Sequence, residues 1–139
     1  MLSTDEKIPH QSLELPTIMG DNIAISANKK QTILYFFAPW CHVCEVSIGN
    51  LQTFYQQNEQ VDVIAIALDY VNQTEIENYA AKHQLTFPVS LGNEAIKQAF
   101  KISGYPSYYV LDTTNKVIAR SIGYSTEMGL YLRNISMIN

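Results

Sequence analysis

The stretch FFAPWCHVC, residues 36–44, decides the fold, and both cysteines of the chain lie within its last four positions. Residues 32–38 lead into it as an apolar run rich in β-branched and aromatic side chains, which is typical of a central strand covered on both faces. Residues 45–57 carry apolar residues at helical spacing, so the cysteines stand where a buried strand gives way to a helix. The predicted apolar face of that helix consists of Val46, Ile48, Leu51, Phe54 and Tyr55.

A Cys-x-x-Cys pair at such a junction predicts redox chemistry. A helix N-terminus offers unpaired N–H groups and the positive end of the helix dipole, which stabilise a thiolate at Cys41. Cys44 lies one turn further in, close enough to form a disulfide and less exposed. Cys41 therefore suits the attacking thiolate, and Cys44 the thiol that resolves a mixed disulfide. A structural disulfide is a poorer explanation, because closing so short a loop removes little entropy from the unfolded chain.

A zinc knuckle is the alternative interpretation of the cysteine pair. Because structural zinc takes four ligands, two more are needed. The chain has three histidines, His10, His42 and His83, and no second closely spaced ligand pair. We therefore predict no metal and no organic cofactor, since the dithiol itself carries the electrons.

The rest of the chain predicts an α/β domain with a mixed central sheet flanked by helices. In chain order the predicted elements are a hairpin of residues 13–15 and 23–25, a buried strand at 61–68, a helix opened by a capping box at 74–77, a short strand at 87–91, a helix capped by Asn93, a hairpin of residues 107–111 and 117–122, and a last helix from about Thr126. Helical crossovers between strands imply parallel pairing, and the closing hairpin adds antiparallel strands. We expect residues 1–12 to form a flexible leader and residues 13–139 to form one domain.

Composition narrows the class of partner. Of 139 residues, 47% are hydrophobic and 16% are charged, which suits a compact domain rather than a disordered chain. The net charge of −4 argues against a general attraction to nucleic acid or anionic membranes. Residues 1–7 lack the basic-then-apolar plan of a secretory signal, which leaves open a cytoplasmic location or an export segment that has been removed.

These motifs together resemble the thioredoxin superfamily, and within it the TlpA/ResA/DsbE-like group of thiol–disulfide oxidoreductases. The segment WCHVC at 40–44 after an apolar strand matches the superfamily signature, and GYPS at 104–107 resembles its second signature, whose proline is cis and packs beside the active-site sulfurs. The segment LPT at 15–17 resembles the start of the group, and residues 61–91 resemble its insertion. The resemblance implies a thioredoxin-like fold with an N-terminal β-hairpin and a strand–helix insertion.

The resemblance also implies an enzyme that exchanges disulfides with protein substrates as a reductant fed by an upstream thiol donor. Such reduction serves cytochrome c maturation or related extracytoplasmic thiols in this group. It implies a periplasmic or other extracytoplasmic monomer, tethered to the membrane in its full-length form if exported, while a cytoplasmic location stays open. Tyr105 and Pro106 are the implied substrate contacts, because a cis X–Pro bond leaves edge groups of Tyr105 to pair with a peptide. An ordinary loop proline is the alternative.

At two positions where the family carries an acid, this chain has none. Thioredoxins carry a buried acid six residues before the first cysteine, where this chain has Tyr35. Many members of the group carry a glutamate three residues after the second cysteine, where this chain has Ser47. Both usual proton acceptors for the buried thiol are therefore missing.

The remaining candidates for tuning the redox pair lie inside or beside the motif. Protonated His42 near the helix N-terminus would favour the thiolate and make the pair more oxidising, unless the side chain is solvated and points away. Val43 stands where typical reductases have proline. Glu45 is either a second titratable neighbour or a first-turn acid that suits the helix dipole. We interpret Trp40 as a shield over the disulfide.

Two other functions stay open at this point. A peroxiredoxin-like peroxidase would use Cys44 as its peroxidatic cysteine, although the threonine expected three residues earlier is Cys41. A non-catalytic binding module that retains the thioredoxin fold is the other alternative.

Overall fold

A six-stranded sheet and three helices surround the cysteine pair in the computed structural model, which describes residues 6–7 and 13–123. The strands are β1 Glu6–Lys7, β2 Glu14–Pro16, β3 Asn22–Ala24, β4 Gln31–Phe37, β5 Val61–Ala67, β6 Val89–Leu91, β7 Ser107–Leu111 and β8 Lys116–Ile122. The helices are α1 His42–Gln57, α2 Gln73–Lys82 and α3 Glu94–Ala99.

The order of strands across the main sheet is β1-β8-β7-β4-β5-β6, and β2 pairs with β3 in a separate hairpin. The pairs β4–β5 and β5–β6 are parallel, whereas β4–β7, β7–β8 and β1–β8 are antiparallel. This arrangement confirms the predicted mixed sheet with an N-terminal hairpin. The parallel pairing follows from the crossovers through α1 and α2, and the antiparallel pairing of β7 with β8 follows from the tight turn that joins them.

Strand β4 is the centre of the core. Because side chains alternate between the two faces of a strand, Tyr35 and Phe37 pack into one core cluster and Leu34 and Phe36 into the other. The first cluster lies under α1 and α2, and the second lies under α3 and the hairpin β2–β3. Burial on both faces explains why this strand is a continuous apolar run rather than an alternating one. Its C-terminal end delivers the chain directly to the two cysteines.

Helix α1 differs from the prediction in its start and in its apolar face. It begins at His42, three positions before the predicted start, with Cys41 as its N-cap. Val46 is 63% exposed, so its assignment to the apolar face was wrong. The polar residues Ser47 and Gln52 are buried instead. Cys44 faces the sheet, so the residues about one and two turns further along the helix face the sheet as well.

The caps of the other two helices give one correction and one confirmation. Helix α2 is capped by Asn72, whose Oδ1 accepts a hydrogen bond from the Glu75 amide at 3.0 Å, so the capping box predicted at 74–77 was wrong. The Glu75 carboxylate accepts a hydrogen bond from the Val71 amide at 2.8 Å. The reciprocal hydrogen bonds that begin α2 therefore lie on the N-terminal side of the predicted capping box. Asn93 caps α3 as predicted, accepting from the Ile96 amide at 2.8 Å.

Strand β1 lies within the segment for which the sequence predicts only a leader. Its residues Glu6 and Lys7 pair with Val117 and Lys116 of β8 at the edge of the sheet. The rest of residues 1–12 and the helix predicted from about Thr126 lie outside the described residues. Within residues 6–7 and 13–123, no helix is long and apolar enough to cross a membrane.

Candidate active site

The cysteine pair lies at the N-terminus of α1, where β4 ends. Cys41 has an extended backbone, with φ −85° and ψ 117°, and its Sγ accepts a hydrogen bond from the Cys44 amide at 3.2 Å. The sulfur thus occupies the position that a capping side-chain oxygen fills in other helices. Both cysteines are free thiols in this structure. A negative charge that forms on Cys41 Sγ is met directly by an N–H group and by the positive end of the helix dipole.

Cys44 is the buried member of the pair. Its side chain is fully enclosed, whereas Cys41 retains 8% of its surface exposed. Burial raises the pKa of Cys44 to about 12, and the hydrogen bond with Cys41 adds to this increase. Cys44 therefore keeps its proton at neutral pH, and Cys41 is the sulfur that an incoming disulfide can reach.

Tyr35 and Ser47, the two positions that depart from the family pattern, are in direct contact. The Tyr35 hydroxyl lies 2.5 Å from the Ser47 hydroxyl, and each hydroxyl oxygen lies 3.3 Å from the Cys44 carbonyl oxygen, so one hydroxyl donates to the other while the second donates to the carbonyl. Both side chains are buried, and burial raises the pKa of the Tyr35 phenol well above its ordinary value. We call Tyr35 and Ser47 the hydroxyl pair. The sequence shows that each acid is missing, but only the structure brings the two replacements together.

Trp40 and Tyr105 form the aromatic surface beside Cys41. Their rings meet edge to face with centroids 5.7 Å apart, and Trp40 is 62% exposed. The Tyr105–Pro106 peptide bond is cis, as the family resemblance implies. Burial and the hydrogen bond with Asp69 raise the pKa of the Tyr105 phenol. The predicted substrate contacts and the predicted shield are thus neighbours.

Asp69 holds this aromatic surface in place. Its backbone oxygen accepts from Trp40 Nε1 at 2.9 Å, and its carboxylate Oδ2 accepts from Tyr105 Oη at 2.5 Å and from Lys97 Nζ at 2.8 Å. The hydrogen bonds from Lys97 and Tyr105 lower the pKa of this carboxyl. Sequence reasoning missed Asp69. The available signal was its place just beyond the C-terminal end of a parallel strand that neighbours the active-site strand, where α/β sheets carry their functional groups.

Glu45 faces α2 rather than the sulfurs. Its Oε1 lies 2.9 Å from Lys82 Nζ and 3.6 Å from His83 Nε2. The hydrogen bond with Lys82 is the largest cause that lowers the pKa of Glu45, and the charges of His83 and His42 act in the same direction. This geometry favours the interpretation of Glu45 as a first-turn acid in a surface ion pair.

The two residues between the cysteines, His42 and Val43, are exposed. They are the first two residues of α1. In the described part of the chain, no group of three or more His, Cys, Asp and Glu side chains is arranged to hold a metal ion. The zinc alternative therefore gains no support from these residues, although His10 is outside them.

Comparison with known proteins gives consistent results. A family model described as thioredoxin-like matches residues 28–117. Sporulation thiol-disulfide oxidoreductase A of Bacillus subtilis (strain 168) is 26% identical over 117 residues, covering 81% of this chain and 71% of the relative. Thiol-disulfide oxidoreductase ResA of Oceanobacillus iheyensis is 26% identical over 115 residues, covering 81% of this chain and 55% of the relative. The crystal structure of a secreted Mycobacterium tuberculosis disulfide oxidoreductase homologous to Escherichia coli DsbE superimposes with a TM-score of 0.76 at 17% identity, covering 89% of this chain and 96% of that one.

Proposed function

The chain belongs to the thioredoxin-like family, in its TlpA/ResA/DsbE-like group, and from this premise we propose that it exchanges disulfides with protein substrates through Cys41 and Cys44. One observation carries the proposal. Cys41 Sγ caps α1 and receives the Cys44 amide at 3.2 Å, while Cys44 is fully buried three residues further on. The arrangement separates a sulfur at the surface, on which negative charge would be met by an amide N–H group, from an enclosed one that holds its proton.

The reaction that this pair supports has two displacement steps. In the first, the Cys41 thiolate attacks one sulfur of the substrate disulfide, and the other substrate sulfur leaves as a thiolate and takes up a proton. In the second, Cys44 loses its proton and attacks Cys41 Sγ in the mixed disulfide. The bond between Cys41 and the substrate breaks, and the Cys41–Cys44 disulfide forms. The cysteine pair gives up two electrons and the substrate gains them.

Substrate binding is proposed to use Trp40, Tyr105 and Pro106. The exposed indole of Trp40 offers an apolar face next to Cys41, and Tyr105 is held against it through Asp69. Aromatic side chains that are fixed before binding lose little conformational freedom when a partner arrives. A peptide segment around the target disulfide would lie along this surface.

We propose that the side chains nearest the motif set the reduction potential of the cysteine pair. Tyr35 contacts the backbone of Cys44, and Trp40, which precedes Cys41 in the chain, packs against Tyr105. His42 adds positive charge at the N-terminus of α1 when it is protonated, which stabilises the thiolate and makes the pair more oxidising. Val43 and Glu45 shape the exposed surface around it.

The proposed direction is reduction of the substrate, with an upstream thiol donor that restores the dithiol. The support is similarity to ResA and to DsbE-like proteins, and the cellular role proposed from it is cytochrome c maturation or related extracytoplasmic thiol reduction. A structural neighbour described as secreted supports an extracytoplasmic location. If the protein is exported, we propose that its full-length form is tethered to the membrane; a cytoplasmic location is the alternative. We also propose that the protein is a monomer, with residues 13–139 as its catalytic domain.

The reduction potential of the cysteine pair tests the direction. Trp40 is the single tryptophan of the chain and lies beside Cys41, so its fluorescence reports the redox state in a series of thiol–disulfide buffers. A reversible two-electron transition near about −270 mV would support a reductant. A potential of about −120 to −180 mV would contradict the reducing direction and indicate an oxidase or isomerase. His42→Ala would then be the first variant to measure.

A further inference from the structure

The surroundings of Cys44 decide how the second step proceeds, because this buried thiol must lose its proton there. The hydroxyl pair, Tyr35 from β4 and Ser47 from α1, lies against the backbone carbonyl of this residue. Both hydroxyls converge on the Cys44 carbonyl, and they lie 2.5 Å from each other. A hydrogen bond from Tyr35 also lowers the pKa of the Cys44 thiol, against the larger effect of burial, which raises it.

The other titratable groups near Cys44 come from β7, from α2, from the loop before β7 and from α1 itself. Tyr108 from β7 packs against Tyr35 with ring centroids 5.1 Å apart. From α2, Tyr79 and His83 face this region with ring centroids 4.6 Å apart, and the Tyr79 hydroxyl is buried without a hydrogen-bond partner among the described residues. Tyr105 approaches from the loop before β7. The remaining groups on α1 are Cys41, the exposed His42, and Glu45, whose carboxylate is bound to Lys82 at 2.9 Å.

We propose that the hydroxyl pair stabilises the Cys44 thiolate by hydrogen bonding, in the place where relatives use a carboxylate as base. As the proton leaves, Tyr35 turns its O–H toward Cys44 Sγ and Ser47 donates its own O–H to Tyr35 Oη. The proton goes through solvent to the substrate sulfur that departs, so both hydroxyls stay neutral throughout. This inference rests on the disulfide exchange proposed above; it assigns Tyr35 a direct role at the reacting sulfur in the second step, and Ser47 a positioning role that acts through Tyr35.

A distinct pH dependence follows from this arrangement. A carboxylate base loses its proton at mildly acidic pH. If the second step used such a base, a plot of the logarithm of its rate against pH would bend, that is, change slope, at the pKa of the carboxyl group. Neither member of the hydroxyl pair titrates near neutral pH, since burial holds the pKa of Tyr35 high. The rate of the second step should therefore rise about tenfold per pH unit from about pH 5 to pH 9, without a bend, because only the fraction of Cys44 thiolate changes.

The two steps can be followed separately with an aromatic disulfide that releases one coloured thiolate in each step. The reduced protein is mixed with 5,5′-dithiobis(2-nitrobenzoate) in a stopped-flow instrument, for the wild type, Tyr35→Phe, Ser47→Ala and Tyr55→Phe. Tyr55→Phe is the matched control, because it removes a tyrosine hydroxyl from α1 about 16 Å along the helix from Cys44. The first phase reports attack by Cys41, and the second reports attack by Cys44.

We expect the first phase to be alike in all four proteins. The second phase should slow roughly ten- to a hundredfold in Tyr35→Phe, the range expected for loss of a hydrogen bond to a charged group. Ser47→Ala should slow it less, and Tyr55→Phe should leave it unchanged.

A second phase in Tyr35→Phe with the wild-type rate and pH profile would overturn the inference. So would a bend below about pH 7 in the wild-type profile, since that would indicate a carboxylate or imidazole base. If Tyr35→Phe does not fold, Ser47→Ala and the wild-type profile still decide the matter. Absence of the first phase in the wild type would instead contradict the proposed exchange function.

Discussion

Asp69 is the residue whose replacement tests most sharply how the substrate surface is held. Its carboxylate binds Tyr105 and Lys97, and its backbone oxygen binds Trp40, at a residue with φ of 51°. Asp69→Ala removes the carboxylate and puts alanine in the left-handed region. Asp69→Asn keeps an acceptor for Tyr105, and asparagine tolerates that backbone conformation.

The expected loss of stability can be worked from these contacts. Loss of the Tyr105 hydrogen bond to a carboxylate is worth about 1 kcal/mol at this half-exposed position, and alanine in the left-handed region costs about 1 kcal/mol more. The ion pair with Lys97 adds little, because the carboxylate is 37% exposed and salt screens it. Asp69→Ala should therefore lower the free energy of unfolding by about 2 kcal/mol, and Asp69→Asn by less than about 1 kcal/mol.

Function should change in the same order as stability. A Tyr105 ring that must be ordered on binding weakens the complex by about 0.5–1.5 kcal/mol, which is roughly a two- to tenfold rise in KM for a protein disulfide. Reaction with a small aromatic disulfide should be unaffected, since that substrate needs only Cys41. Urea unfolding gives the stability, and reduction kinetics with the two substrates give the activity.

Asp62→Asn is the matched control, because Asp62 is a similarly exposed aspartate with its own lysine partner, Lys30, at 3.9 Å. It should change neither stability nor KM appreciably. The reasoning would be refuted if Asp69→Ala matched the Asp62→Asn control in both measurements. A rise in KM that was equal for the small disulfide and the protein disulfide would also refute it.

Two further predictions concern stability away from the redox pair. Gly92→Ala should destabilise the fold by about 1–3 kcal/mol in urea unfolding, because the new Cβ would lie 2.6 Å from Leu68 Cδ2 and 2.7 Å from a backbone oxygen. Gly49→Ala should instead stabilise α1 by about 0.5–1 kcal/mol, because its new Cβ would have nothing within 4 Å. Equal effects of the two substitutions would contradict this account of the packing. The pKa of Asp112 is lowered, first by the hydrogen bond from Thr114, so its contribution to stability is present above its unfolded pKa of 3.8 and is lost as the pH falls through the lower folded value. Thermal unfolding from pH 6 to pH 2 should show that Asp112→Asn removes part of the acid dependence, and an unchanged acid dependence in the variant would contradict it.

Local sequence patterns were sufficient to predict most of the fold. The buried run of β4, the cap at Asn93 and the closing hairpin each depend on neighbouring residues, so periodicity and turn chemistry identified them. The errors at Val46 and at the α2 cap have a common cause. At each place the local sequence is compatible with two arrangements, and contacts with the rest of the fold decide which one forms. Helix α1 turns Ser47 rather than Val46 toward the sheet because Cys44 must face inward.

The candidate site was predictable only in part, for a related reason. Both cysteines and Pro106 lie in motifs that can be recognised from spacing. Asp69, in contrast, acts through partners 28, 29 and 36 residues away, and no short pattern encodes such contacts. The contact between Tyr35 and Ser47 likewise depends on the direction of a strand side chain and the rotation of a helix, which the three-dimensional packing fixes.

Trapping of the mixed disulfide tests the central claim most directly, namely that Cys41 attacks and Cys44 resolves. Cys44→Ser and Cys41→Ser variants are each incubated with an oxidised protein substrate, and the products are analysed by intact mass without reductant. The account predicts a covalent adduct through Cys41 that accumulates in Cys44→Ser and is released by dithiothreitol, and no adduct in Cys41→Ser. An adduct through Cys44 in the Cys41→Ser variant, or equal residual turnover in the two variants, would contradict it.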